Sequence, residues 1–310
     1  MIKLLDALLL SAIPPFSPNL LADIQEMLRH DFMRSAFLAG TAIALVAGAV
    51  SYFIVLRHQV FAGDALSHVA FAGTLGAAVL GINLLTGLFG ATVAVALGIG
   101  VLGERARARD VAIGTVLAWV LGLGVLFLSL YTSQASGANG SIGVNVLFGT
   151  IFGLTVQQAS LAAWVGAGAL AVLLLIARPL LFASLDPEVA AARGVPVRVL
   201  GLAFLVLVGI TVAEAVQAVG VLLMFSLLVA PGAMAQRLLT RPFAALALST
   251  ALALAFIWVG LTLAFYTPYP ASFLISALAF LTYLLALLPR WGRAPWARHQ
   301  RMRKRVPLLR

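Results

Sequence analysis

Nine stretches of roughly 18–23 predominantly apolar residues follow one another along this chain with little polar sequence between them. They fall at about 35–56, 64–82, 84–102, 111–131, 157–177, 198–218, 219–236, 243–265 and 272–289. A helix needs about 20 such residues to cross the hydrocarbon core of a bilayer, and lipid leaves only helices or closed barrels as spanning structures. The stretches lack the alternating pattern of barrel strands. The expected fold class is therefore all-α: a polytopic transmembrane helical bundle of about nine spans. Charged residues make up 10% of the 310, too few to clothe a water-facing surface of this size. The divisions at Asn83 and near Gly220 rest on the least polar sequence, and 144–155, too short to cross, reads as a re-entrant or surface segment packed closely through Gly149 and Gly153.

Three regions follow from the same pattern. Residues 1–32 form an amino-terminal amphipathic or interfacial segment, with Leu20, Ile24, Met27 and Leu28 on one helical face and Asp23, Glu26 and Arg29 elsewhere. Residues 33–289 form the transmembrane domain, with a cytoplasmic loop at about 178–197, and 290–310 form a basic tail. With nine spans, the basic clusters at Arg57, Arg105/Arg107/Arg109, Arg178/Arg193/Arg198, Arg237/Arg241 and the tail all fall on one side. The loops 132–143 and 266–272 carry no charge. The positive-inside rule then puts the amino end outside and the carboxyl end in the cytoplasm. The tail reads as an anchor near anionic lipid, so the net charge of +10 does not imply a nucleic-acid partner.

Absent residue types exclude several chemistries. There is no cysteine, hence no disulfide or thiolate metal site. Lysine occurs only at positions 3 and 304, so a phosphate-binding loop, which needs an internal lysine, cannot be built. Any ATP that powers this chain is bound by another. The His-Glu-x-x-His pattern of a metalloprotease is also missing.

Within the spans the only carboxylates are Asp64 and Glu214, and the only histidine is His68. A carboxylate at mid-membrane costs on the order of 3 kcal/mol to insert, so each needs a partner or a wet cavity. Asp64 and His68 are four apart and share a helix face. They can hold one divalent ion between them, or form an Asp–His hydrogen bond that locks the helix. The mixed oxygen and nitrogen set suits zinc, manganese or iron(II) better than copper(I). Two copies of the chain about a twofold axis would supply two Asp and two His. Glu214 and Gln217, three apart, are candidate additional path residues, or simply residues close enough to the interface to reach water.

The run Gly63-Asp64-Ala65-Leu66-Ser67-His68-Val69-Ala70-Phe71-Ala72-Gly73, preceded by Val55-Leu56-Arg57, resembles the signature of the zinc, manganese and iron permeases of bacterial ABC importers. Asp186-Pro187-Glu188-Val189-Ala190, ending at Arg193-Gly194-Val195, is similar to that family's cytoplasmic coupling loop. A third stretch, Val219 to Leu223 continuing through Pro231 to Ala235, resembles its Val-Gly-x-Leu-Leu … Pro-x-x-x-Ala segment. The resemblance spans about residues 30–288. Glu214 and Gln217 depart from it, since the family has small aliphatic residues in much of this span.

The resemblance implies a homodimeric permease that moves zinc or manganese, with iron a further option, across the bacterial inner membrane. The ion is cargo and no cofactor is bound permanently. Cytoplasmic ATP-binding subunits and an extracytoplasmic metal-binding protein are its expected partners; the chain itself performs no bond chemistry. Asp186, Pro187, Glu188 and Gly194 would shape the helix that meets the ATPase: Asp caps it, Pro takes the first position, Glu favours the amino end and Gly stops it. Two other readings stay open: a permease for a metal chelate, which would not need Asp64 and His68, and a proton-coupled secondary carrier using Asp64 or Glu214 as its relay.

Overall fold

A computed structural model of the chain describes residues 26–102, 106–134 and 141–291. Most of the amino-terminal segment and nearly all of the basic tail lie outside the described residues.

Every regular element among the described residues is helical. In chain order they are α1 (Asp31–Leu56), α2 (Val60–Leu80), α3 (Leu84–Leu102), α4 (Ala106–Gln134), α5 (Ser141–Phe148), a 3₁₀ turn (Ile151–Gly153), α6 (Val156–Leu185), α7 (Pro187–Ala192), α8 (Val197–Val219), α9 (Val221–Leu238), α10 (Pro242–Tyr266) and α11 (Ala271–Trp291). Seven of them, α1, α2, α3, α4, α6, α8 and α10, are long and apolar enough to cross a membrane. The other two spans expected from sequence coincide with α9 and α11. The first is a helix of 18 residues with Pro231 inside it, and the second has an apolar stretch of only Ala271–Leu287.

Both insecure divisions are real helix breaks. Asn83 caps α3, its Oδ1 accepting from the Leu85 N–H at 2.8 Å. Gly220 separates α8 from α9 at φ +86°, a conformation that residues with a Cβ rarely adopt. Its backbone lies against Phe148 and Gly149, and Gly149 (φ +77°) lies reciprocally against Ala218, Val219 and Gly220. The stretch 144–155 is therefore a short helix and 3₁₀ turn pressed onto the α8–α9 break. Gly149 makes that close approach. Gly153 does not, since a Cβ there would meet only Thr150 at ordinary distance.

Helix α1 is the hub. It packs against α10, α6, α9 and α8, and almost all of it from Ile43 to Ile54 is buried. Side-chain hydrogen bonds between helices hold it: Ser249 Oγ donates to the Gly48 carbonyl at 2.6 Å, and Gln236 Nε2 to the Tyr52 carbonyl at 2.8 Å. The Gly232 N–H, next to Pro231 inside α9, donates to Ser51 Oγ at 2.9 Å. Such bonds satisfy backbone groups for which lipid offers no partner. Helix α2 crosses α3 where Gly73 meets Gly87; a Cβ at Gly73 would stand 2.6 Å from the Gly87 carbonyl oxygen. Small residues let backbones approach this closely, the main route to tight packing where the solvent is as apolar as the side chains. Helices α3, α4 and α6 leave most of their length open, with Trp119, Val125, Trp164 and Leu175 each more than 65% exposed.

Candidate functional site

Asp64 and His68 lie one turn apart near the amino end of α2. That helix starts at Val60, so Asp64 is about 6 Å and His68 about 12 Å along an axis of roughly 30 Å. The turn feeding α2 places them there. His58 and Gln59 close α1 through backbone bonds to Val55 and Ile54, and α2 begins at the next residue. Glycines and alanines on the other faces of α2 pack it into the bundle: a Cβ at Gly63 would stand 2.6 Å from Leu228 Cδ2 of α9. Ser67 is buried and donates to the Gly63 carbonyl at 3.1 Å.

His68 Nε2 and Asp64 Oδ1 are 4.0 Å apart, with side chains 25% and 31% exposed. At that distance they are not hydrogen-bonded to each other. Two donors each about 2.1 Å from one tetrahedral ion stand about 3.4 Å apart, so the pair has to close by roughly half an ångström to share an ion. Asp64 also lines a cavity of about 670 Å³ with Val55, His58, Val60, Phe61, Phe225 and Gln236, drawn from α1, α2, α9 and the α1–α2 turn. Reading the sequence alone passes over His58 and Gln236. His58 lies between two spans, and Gln236 is brought to Asp64 only by the packing of α9. The one local signal was a histidine at a helix–helix turn six residues before Asp64.

Gln217 and Glu214 occupy different surroundings. Gln217 lines a cavity of about 480 Å³ near the opposite end of α2, with Thr74, Asn83, Asn145, Thr150 and Gln158. Glu214 is not part of its lining. It is only 3% exposed, neither carboxylate oxygen has a hydrogen-bond partner among the described residues, and Oε1 lies against Gly166 of α6. A Cβ at Gly166 would come within 2.8 Å of that oxygen. The three-residue offset between them leaves about 60° of rotation about the helix, enough to send the two side chains to different neighbours.

Residues 186–194 form a helix of the kind expected. Asp186 Oδ1 accepts from the Val189 N–H at 3.0 Å, Pro187 takes the first position and Glu188 stands in the first turn. Gly194, at φ +80°, closes α7: its own N–H reaches the Ala191 carbonyl and the Val195 N–H the Ala190 carbonyl, both at 3.0 Å. Ala190 is fully buried where α7 rests on α6 and α8, while Glu188 and Val189 are exposed. This helix sits at the Asp64 end of the bundle. Arg57, which ends α1, donates to Ser184 Oγ near the end of α6 at 3.0 Å, and its guanidinium lies 5.7 Å from the Phe204 ring of α8.

The model of the ABC 3 transport family matches residues 29–290. A manganese transport system membrane protein of Halalkalibacterium halodurans is 29% identical over 227 residues, 72% of this chain and 75% of that protein. The manganese import system permease protein ScaB of Streptococcus parasanguinis is 32% identical, covering 68% and 74%. The chelated iron transport system membrane protein YfeD of Yersinia pestis is 31% identical, covering 68% and 70%. In fold, the chain is similar to PsaBC of Streptococcus pneumoniae, solved in complex with Fab, with a TM-score of 0.75 at 24% identity, over 92% of this chain and 100% of the other. The family match covers nearly all of the described bundle, so this multi-pass membrane protein belongs to the ABC 3 transport family.

Proposed function

We propose that the chain is the permease subunit of an ATP-driven importer that carries a divalent transition metal ion across a bacterial inner membrane. The observation that carries the reading is the Asp64–His68 pair: two unbonded donors, 4.0 Å apart and partly open, on one face of a spanning helix. Relatives named for manganese and for iron make manganese the first ion to test, with zinc and iron(II) compatible with the same ligands. In the active assembly two copies of the chain pair, so that each contributes an Asp and a His to the path. ATP is bound and hydrolysed by cytoplasmic partner chains, and a metal-binding protein outside delivers the ion. The cytoplasmic face is the one bearing α7, the end at which Arg57, Arg193, Arg198, Arg237 and Arg241 lie by the positive-inside rule.

On this reading Asp64 and His68 hold the ion in transit, replacing part of its hydration shell. A transport station must bind loosely enough to release. Their position near the α7 end makes the pair the inner part of the path, with the Gln217 cavity at the outer end. Glu188 and Val189, exposed on α7, meet the ATPase, and its closure moves α6 and α8 against α1 and α2 to alternate access. A permease for a bulky chelate would not need two bare donors this close.

The test is uptake of radioactive manganese and zinc into vesicles carrying the reconstituted complex. Asp64→Asn and His68→Ala should assemble and hydrolyse ATP yet lose uptake. Uptake that survives both changes would overturn the assignment. Uptake that proceeds without ATP would instead point to a secondary carrier.

A further inference from the structure

Three helices among the described residues close with the same hydrogen-bond pattern, in which a left-handed residue follows the helix and two N–H groups turn back onto its last carbonyls. In α2 the left-handed residue is Gly81, with Ile82 N–H bonded to the Ala77 carbonyl at 3.0 Å. In α7 it is Gly194. In α1 it is His58, at φ +54°, with Gln59 N–H bonded to the Ile54 carbonyl at 2.9 Å and His58 N–H to the Val55 carbonyl at 3.2 Å. His58 is the only described residue other than glycine with positive φ. Glycine is the residue that this position favours, because a Cβ there crowds the backbone. Histidine is among the few other residues enriched in this region, so the turn tolerates one but gives no reason to prefer it to glycine.

The cavity does. His58 is exposed, and its side chain lines the same space as Asp64 and Gln236. Gln236 donates its Nε2 to the Tyr52 carbonyl at 2.8 Å, which fixes the amide and leaves its oxygen to accept or ligate. Val55, Val60, Phe61 and Phe225 supply the apolar remainder of the wall. Imidazole nitrogen, carboxylate oxygen and amide oxygen form the donor mixture that manganese, iron(II) and zinc accept. A rigid turn is a good mount for such a ligand, since both bonds of the closing motif hold the Cα in place.

We infer that His58 is a second imidazole ligand on the ion's path, forming with Asp64 and the Gln236 oxygen a station on the α7 side of His68. Asp64 is shared: the ion passes from the Asp64–His68 pair to the Asp64–His58 pair, exchanging one imidazole for another without losing its carboxylate. This rests on the reading that Asp64 binds the transported ion.

The test uses the purified complex of the chain with its ATPase subunits, and Mn²⁺ alone as the probe. His58→Gly should unfold at the same temperature as the unchanged chain or higher, because glycine relieves the left-handed position. Its Mn²⁺ affinity should fall about tenfold or more, and the imidazole-nitrogen modulation in the electron spin-echo of bound Mn²⁺ should shrink. His58→Asn, which also tolerates this backbone, should lose the same nitrogen signal. Asp64→Asn is the control for the underlying site. If Asp64→Asn abolishes binding while both His58 variants keep full affinity and nitrogen modulation, Asp64 remains a ligand and His58 is not one. If Asp64→Asn binds Mn²⁺ normally, the Asp64 site and this station fall together.

Discussion

At Glu214 the chain buries a carboxylate with neither oxygen hydrogen-bonded among the described residues, against Gly166 of α6. A buried polar group without a hydrogen-bond partner is destabilising, so this side chain lowers the stability of the α1–α6–α8 junction rather than raising it. Glu214→Gln should therefore leave thermal stability in detergent unchanged or increased. Gly166→Ala should lower it by about 1–3 kcal/mol, the range for overpacking, because the new methyl meets Oε1. Combining Gly166→Ala with Glu214→Ala should recover part of that loss and no more, since Ala42 also lies 3.3 Å from the added atom. Strict additivity of the two changes would mean that the side chains do not touch. Asp64, His68 and Glu214 stood out in the sequence, since an ionisable group in a span is conspicuous wherever it falls. Their neighbours were not. Gly166 and Gln236 look unremarkable on their own helices and acquire meaning only from what packing sets against them.

At the scale of helices, the spans and even the abrupt breaks at Asn83 and Gly220 could be read from the chain, because a bilayer demands length and apolarity and both are local properties. Which helices lie inside could not. In water a helix shows its buried face by polar residues on the other; in lipid both faces are apolar, so α1, mostly buried, and α4, mostly open, read alike. What marks the inner helix is polar pairing between helices, such as Ser51 Oγ accepting from Gly232 N–H beside Pro231. Ser51 is fully buried, so its loss leaves that N–H with no water to turn to. Ser51→Ala should destabilise the bundle by about 1 kcal/mol, within the range measured for single polar contacts between membrane helices. Reversible unfolding in mixed detergent micelles would measure it. An unchanged midpoint would mean that the Leu228 carbonyl on α9 serves the Gly232 N–H alone.

Across the whole bundle, the proposed ion site and the helix proposed to meet the ATPase share one end, and one side chain ties them together. Arg57 follows α1 and precedes His58. Its guanidinium donates to Ser184, two residues before the Asp186 that caps α7, and lies over Phe204 of α8. A push on α7 that moves the end of α6 thus reaches the turn from which α2 and Asp64 emerge. Two helices joined only by apolar contact could slide past each other, whereas a charge-assisted bond between their ends has a fixed geometry and transmits displacement. Arg57→Met keeps the length of the stem, and much of its packing, while removing that bond. If Arg57 couples the two, the variant complex should assemble and hydrolyse ATP at close to the unchanged rate. Manganese taken up per ATP should nevertheless fall several-fold, as expected for about 0.5–2 kcal/mol of lost coupling. Measuring both rates on the same vesicles decides the matter: uptake and hydrolysis that fall in proportion place the defect in the ATPase cycle, while uptake that falls alone places it at Arg57, between α7 and the ion.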